Sequence, residues 1–224
     1  MQPIHVPSRM DPPSCIIKKL GLSDYQATWQ AMKDFTEHRT TASCDEIWLL
    51  QHLPVFTQGI AGKPEHLLNN NHGIPVIKTD RGGQITYHGP GQLIAYLLLD
   101  IRRLKIGVRE LVRCMENAVI DLLETYRIQA FNHIEAPGVY VNNAKIASLG
   151  LKIKKNYCYH GIALNVDMDL TPFSFINPCG YRNLQVTQTK NLGITDGMEI
   201  LSIKLANYLQ EKLLKGLSSD HHDH

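Results

Sequence analysis

The 224-residue chain is short of the features that mark membrane, secreted, metal-binding and nucleic-acid-binding proteins. It has no long hydrophobic run. The longest apolar stretch, Leu93 to Leu99, falls far below the roughly 20 residues that span a bilayer. Met1 to Pro13 is broken by prolines, which excludes a secretory signal or a membrane helix there. Its cysteines are odd in number (Cys15, Cys44, Cys114, Cys158 and Cys179), and none forms a Cys-x-x-Cys pair. That argues against a disulfide framework and for a reducing, cytoplasmic setting. No His/Cys/carboxylate group has zinc-site spacing. The 11 histidines are scattered, apart from His221, His222 and His224 at the C-terminus. We therefore expect no metal and no cofactor. Gly-x-x-x-x-Gly-Lys-Ser/Thr is absent, as are repeats and low-complexity segments. A net charge of +2 is too small to suggest nucleic acid. An acidic partner would need a local patch, such as Lys152, Lys154 and Lys155, or Arg102, Arg103, Lys105, Arg109 and Arg113.

What remains is ordinary for one globular domain, with 43% apolar and 20% charged residues. Ser23 and Gln26 read as a capping box opening a helix over 24–38, with Tyr25, Trp29, Met32 and Phe35 at helical spacing. Strands are expected at 47–51, 55–58, 75–79, 85–88 and 92–100, with a surface loop over 63–71. Val108, Leu111, Val112, Met115, Val119, Leu122, Leu123 and Tyr126 form an amphipathic stripe that reads as core. Residues 139–141 and 145–149 read as a hairpin turned by Asn142-Asn143. Strands follow at 151–154 and 157–166, and Met198, Leu201, Leu205, Tyr208, Leu209 and Leu213 form a last helix. Elements mixed without βαβ alternation predict an α/β fold of the α+β type, with mixed, largely antiparallel sheets flanked by helices. The expected organisation is a flexible segment over 1–14, one domain over 15–216 and a disordered tail over 217–224.

Chemistry gathers in four places. Arg81-Gly82-Gly83-Gln84-Ile85-Thr86-Tyr87-His88-Gly89-Pro90-Gly91-Gln92 places four glycines, an arginine and a histidine within twelve residues. Glycine lets another molecule come close to the main chain, so the segment suits a ligand-wrapping loop or a plain glycine-rich hairpin. The other three are Ala144–Gly150 around Lys145, His160–Val166, and Asn177-Pro178-Cys179-Gly180. A turn such as Pro-Cys-Gly can present a thiol. A lysine inside an apolar run either reaches for solvent or is partly buried, and burial would depress its pKa from about 10.4.

In order and spacing these four motifs resemble those of the lipoyl(octanoyl) transferase family, within the biotin/lipoate protein ligase superfamily, over roughly residues 20 to 210. The resemblance implies a biotin/lipoate ligase-like catalytic domain. It implies an acyltransferase that moves octanoyl from octanoyl-acyl carrier protein, through a cysteine thioester, to a lysine of a lipoyl domain. Such domains belong to 2-oxoacid dehydrogenase complexes and to the glycine cleavage H protein. Cys179 and Lys145 would be catalytic. Arg81, Gly82, Gly83, Gln84, Ile85, Thr86, Tyr87, His88, Ser148, Leu149, Gly150, Gly161, Ile162 and Ala163 would contact substrate. His88 could equally fix the loop. The rival readings are an ATP-dependent lipoate or biotin ligase, and a silent acyl-carrier-binding protein. Ligases need no cysteine nucleophile, and biotin ligases typically carry a Gly-Arg-Gly-Arg segment that is absent here; the silent protein is disfavoured because Lys145 and Cys179 are both present.

Overall fold

A computed structural model describes residues 15–69, 73–182 and 184–218, with side chains to residue 214. The expected N-terminal segment lies outside the described residues, as does the expected 217–224 tail apart from residues 217–218, which end the last helix. So does the end of the expected 63–71 loop, whose described part holds a single 3-10 turn at Pro64–His66.

Among the described residues there are ten strands and three α-helices. They are β1 (Ile16–Ser23), α1 (Tyr25–His38), β2 (Glu46–His52), β3 (Val55–Gln58), β4 (Val76–Lys78), β5 (Ile85–His88), β6 (Gln92–Asp100), α2 (Val108–Glu124), β7 (Phe131–Asn132), β8 (Gly138–Val141), β9 (Ala144–Lys154), β10 (Tyr157–Asn165) and α3 (Met198–Ser218). Seven strands form one sheet in the order β1-β2-β6-β10-β9-β8-β7, and β4-β3-β5 form a second. Only β1–β2 and β3–β4 are parallel. The sheets are therefore mixed and largely antiparallel, as expected.

Burial explains the patterning. β6 is apolar along nearly its whole length because it sits inside the large sheet and is buried on both faces. On one face, Leu93, Ala95, Leu97 and Leu99 meet the stripes of α2 and α3 through Leu111, Met115, Leu122, Leu205 and Leu209. On the other, Ile94, Tyr96 and Leu98 meet Met32 of α1. The small sheet has its own core, where Phe56, Ile85 and Tyr87 pack on Phe173 and Ile176.

Three local expectations change. The cap of α1 is Asp24 rather than Ser23: its Oδ1 accepts from the Ala27 N–H at 2.9 Å, whereas Ser23 ends β1 and donates to the Leu20 carbonyl. β9 is one strand where a break at Gly150 was expected, and Lys155-Asn156, both at positive φ, turn it into β10. β1 was not anticipated, because an edge strand exposed on both faces carries no alternating pattern.

Candidate active site

Lys145 enters the core on β9, at 2% exposure. Its Nζ donates to the Cys179 Sγ at 3.0 Å and to the Pro137 carbonyl at 3.0 Å. It also lies 5.2 Å from the centre of the Tyr140 ring. Room for this side chain comes from Gly138. A Cβ there would stand 2.5 Å from Lys145 Cε, and the backbone φ is +148°. Burial alone would push the ammonium down, as expected from the sequence. The sulfur of Cys179 and the Tyr140 hydroxyl outweigh it, and Lys145 is held above the ordinary lysine value. The expected depression is thus reversed by the partner that the lysine faces.

Cys179 sits in the 3-10 segment Pro178–Gly180 at φ +56°. A non-glycine residue in the left-handed region is strained, and such strain persists only where the surroundings impose it. Here the chain is gripped on both sides. Asn177 N–H donates to the His66 carbonyl at 2.8 Å. Downstream, Gln185–Thr187 runs beside Lys145: Lys145 N–H donates to the Gln185 carbonyl, and Thr187 N–H to the Lys145 carbonyl. The thiol is thus placed by backbone pairing with the lysine it faces. Elsewhere burial silences thiols. It raises Cys15 and Cys158 to about 12 and pushes Cys114 up as well.

From Cys179 a cavity of about 410 Å³ runs between the sheets. Of the expected substrate-contacting residues it is lined by Arg81 through Thr86, His88, Ser148–Gly150 and Gly161–Ala163. Tyr87 is the exception. Alternation along β5 turns it away onto Phe56 and Phe173. Lys145 does not line the cavity but stands behind Cys179. The sequence reading had His160 only as the start of its third motif, and it did not place Tyr25, Ile94, Tyr96, Val108, Val112, Glu135–Pro137, Leu151 or Tyr181 at the site. Val108 and Val112 correct the reading of the α2 stripe as core alone, since its first turns roof the cavity.

The polar residues of the glycine-rich segment serve the wall. Arg81 is buried and donates to Thr57, to its neighbour Gly82 and to the Gln84 carbonyl. Burial lowers its pKa. Thr57 Oγ1, accepting from Arg81, donates its hydroxyl to His88 Nε2 at 3.3 Å, which assigns the ring proton to Nδ1. His88 Nδ1 then donates to Gln92 Oε1 at 2.7 Å, and Gln92 Nε2 donates to Asn165. Burial holds His88 well below the ordinary histidine value, so the ring is neutral. Both nitrogens are used, which favours the loop-fixing role. Gly83 and Gly82 are tied to the turn after β3: Ala61 N–H donates to the Gly83 carbonyl, and a Cβ on Gly59 would lie 2.4 Å from that oxygen. Gly161 is needed for a similar reason, as a Cβ there would lie 2.1 Å from the Ala95 carbonyl of β6. Beside the cavity, His160 takes φ +64° and bonds Asp80 at 3.0 Å.

The basic clusters are partly neutralised: Lys154 and Lys155 pair with Glu37, Arg102 with Asp100, and Arg103 with Asp45. Among the described residues, no group of three or more His, Cys, Asp or Glu side chains could hold a metal ion. No described helix is long and apolar enough to cross a membrane.

A thiol on the wall of a mostly apolar cavity, with an amine in contact behind it, defines a site suited to covalent acyl transfer. The lipoyl protein ligase A/B catalytic-domain model matches residues 24–206, and the chain belongs to that family. An octanoyltransferase of Nitrosospira multiformis is 63% identical over 95% of this chain and 99% of its own. One of Nitrosomonas europaea is 66% identical over 85% and 93%. The same fold is seen in the bipartite lipoate protein ligase of Thermoplasma acidophilum, with a TM-score of 0.71 at 16% identity, over 90% of this chain and 84% of that one.

Proposed function

We propose that this protein transfers octanoyl from octanoyl-acyl carrier protein to the lysine amine of lipoyl domains, through a thioester on Cys179. The acceptors would be the lipoyl domains of 2-oxoacid dehydrogenase complexes and the glycine cleavage H protein, in the cytoplasm. The carrying observation is the 3.0 Å contact between Lys145 Nζ and Cys179 Sγ at the cavity.

The contact works as a proton shuttle. With Lys145 as ammonium, Cys179 attacks as thiolate on the carbonyl carbon of the donor thioester. The carbon–sulfur bond to the carrier breaks, and the leaving thiolate takes the proton from Lys145 Nζ. Acylation removes the anion that held the ammonium up, while burial remains. Lys145 therefore stays a neutral amine, ready to act as base. The acceptor lysine attacks the acyl-enzyme as free amine, and its surplus proton passes to Lys145. The amide forms as the Cys179 thiolate leaves, which restores the starting pair. Energy comes from the thioester, so no nucleotide is consumed. Leu149, Ile162 and Ala163, among the apolar lining, suit a saturated chain. Arg109 and Arg113, exposed on α2 beside the cavity-lining Val108 and Val112, suit an acidic carrier.

The test is the mass of an apo lipoyl domain after incubation with octanoyl-acyl carrier protein in EDTA without nucleotide. The domain should gain octanoyl, and a trapped adduct should map to Cys179 alone. Product only from free octanoate plus ATP would reject the transferase for a ligase.

A further inference from the structure

Of the buried carboxylates left unused by this chemistry, one stands behind the pair. Glu116 interrupts the apolar face of α2 at 4% exposure. Both of its oxygens act as acceptors. Oε1 takes the Gly138 N–H at 2.9 Å, and Oε2 takes the Asn132 side-chain amide at 2.7 Å. The Gly138 N–H belongs to the same peptide group as the Pro137 carbonyl, and that carbonyl accepts from Lys145 Nζ at 3.0 Å. A single planar amide thus has a carboxylate on its N–H and an ammonium on its C=O. Hydrogen bonds in such a chain polarise one another, so the carboxylate makes the carbonyl a stronger acceptor.

We infer that Glu116 is a positioning residue for the Lys145–Cys179 pair, acting through the Pro137–Gly138 peptide group. Its role in transfer rests on the function proposed above. Its effect on the pair rests on the geometry alone. The peptide group can turn neither way without losing a charged partner, so the Pro137 carbonyl stays aimed at Lys145 Nζ. The negative charge behind it favours the ammonium that faces Cys179. The other groups around the pair are the Tyr140 hydroxyl of β8 beside Lys145, Arg81 within electrostatic reach of Cys179, and Tyr181 within reach of Tyr140. None of them is altered in the test.

The test is the pH dependence of Cys179 alkylation by iodoacetamide in the full chain, read by peptide mass mapping, with no acyl donor present. Glu116→Gln keeps the size and one acceptor oxygen but removes the charge. Losing a negative charge eases both deprotonations of the pair. Both steps of the alkylation profile should therefore move to lower pH, the alkaline one by about one unit. Glu116→Asp keeps the charge one methylene further back, and its profile should lie between the two. It gives the same reading if the Gln variant does not fold. In transfer, Glu116→Gln should lower kcat by about tenfold and leave KM within about twofold. Profiles unmoved in every variant that folds would overturn the proposal, since a merely structural glutamate changes rates without moving them. A moved alkylation profile in a protein that transfers no octanoyl would support the role of Glu116 and reject the function instead.

Discussion

The two ends of the sequence's chemistry behave in opposite ways. The Arg81–His88 wall is rich in reactive-looking groups, yet Arg81 and His88 are committed to Thr57, Gln84 and Gln92. The Asn177–Gly180 segment looks plain, yet on a strained backbone it carries a thiol 3.0 Å from a buried amine. A group whose hydrogen bonds are all taken is a strut. A group held in strain, with its chemistry turned to a cavity, is the one that can react.

The largest effect expected from this contrast is at Lys145. Lys145→Met keeps the buried stem and removes the amine. Transfer should fall by about 10²- to 10⁴-fold, with a melting temperature close to that of the parent. A variant that keeps parental rates in the lipoyl-domain mass assay would erase the distinction between the two regions. Gly138→Ala comes next. Its Cβ falls 2.5 Å from Lys145 Cε and must push the lysine aside. Activity should drop by about 10²-fold, with slower Cys179 alkylation at neutral pH.

The same contrast shows what could be read from the chain. Strands β3, β5 and β6 and the three helices were legible because their apolar patterns reflect the cores that they bury. The Lys145–Cys179 pair came from motif resemblance, since no local pattern joins residues 34 positions apart. Glu116 and Gly138 were invisible. The first looks like a stray polar residue in a helix stripe, and the second like a loop glycine. Their meaning exists only where α2, β8 and β9 meet.

Two smaller effects test the wall. His52, 5.9 Å from His88 in ring contact, is lowered by burial from 6.5 to about 4. Unfolded, it takes up a proton near 6.5. Folded, it does so only near 4. The unfolded chain therefore binds more protons between those values, and stability should fall as pH drops through that window. The contribution of His52 is at most about 3 kcal/mol. A melting temperature that stays flat from pH 7 to pH 4.5 would show that the neutral histidines are not structural. Gly83→Val should be the mildest. Gly83 sits at φ +85° and a Cβ there meets nothing closer than 3.5 Å, so the strain is conformational. We expect a loss of about 1–3 kcal/mol in thermal unfolding and a KM within about twofold of the parent. A large rise in KM at unchanged stability would make the loop a binding element after all.

The backbone pairing of Lys145 with Gln185 and Thr187 has a consequence for how the protein comes into being. The chain crosses beside the lysine only after it has passed the cysteine, and that crossing lies more than thirty residues downstream of Lys145. During synthesis, the thiol at residue 179 emerges without an amine held beside it. It acquires one only when the strip beyond it has closed against β9. A chain stopped short of residue 185 would carry both side chains but lack the clasp that brings them together. On the proposed function, a chain that has not closed this clasp would lack the lysine contact that transfer uses.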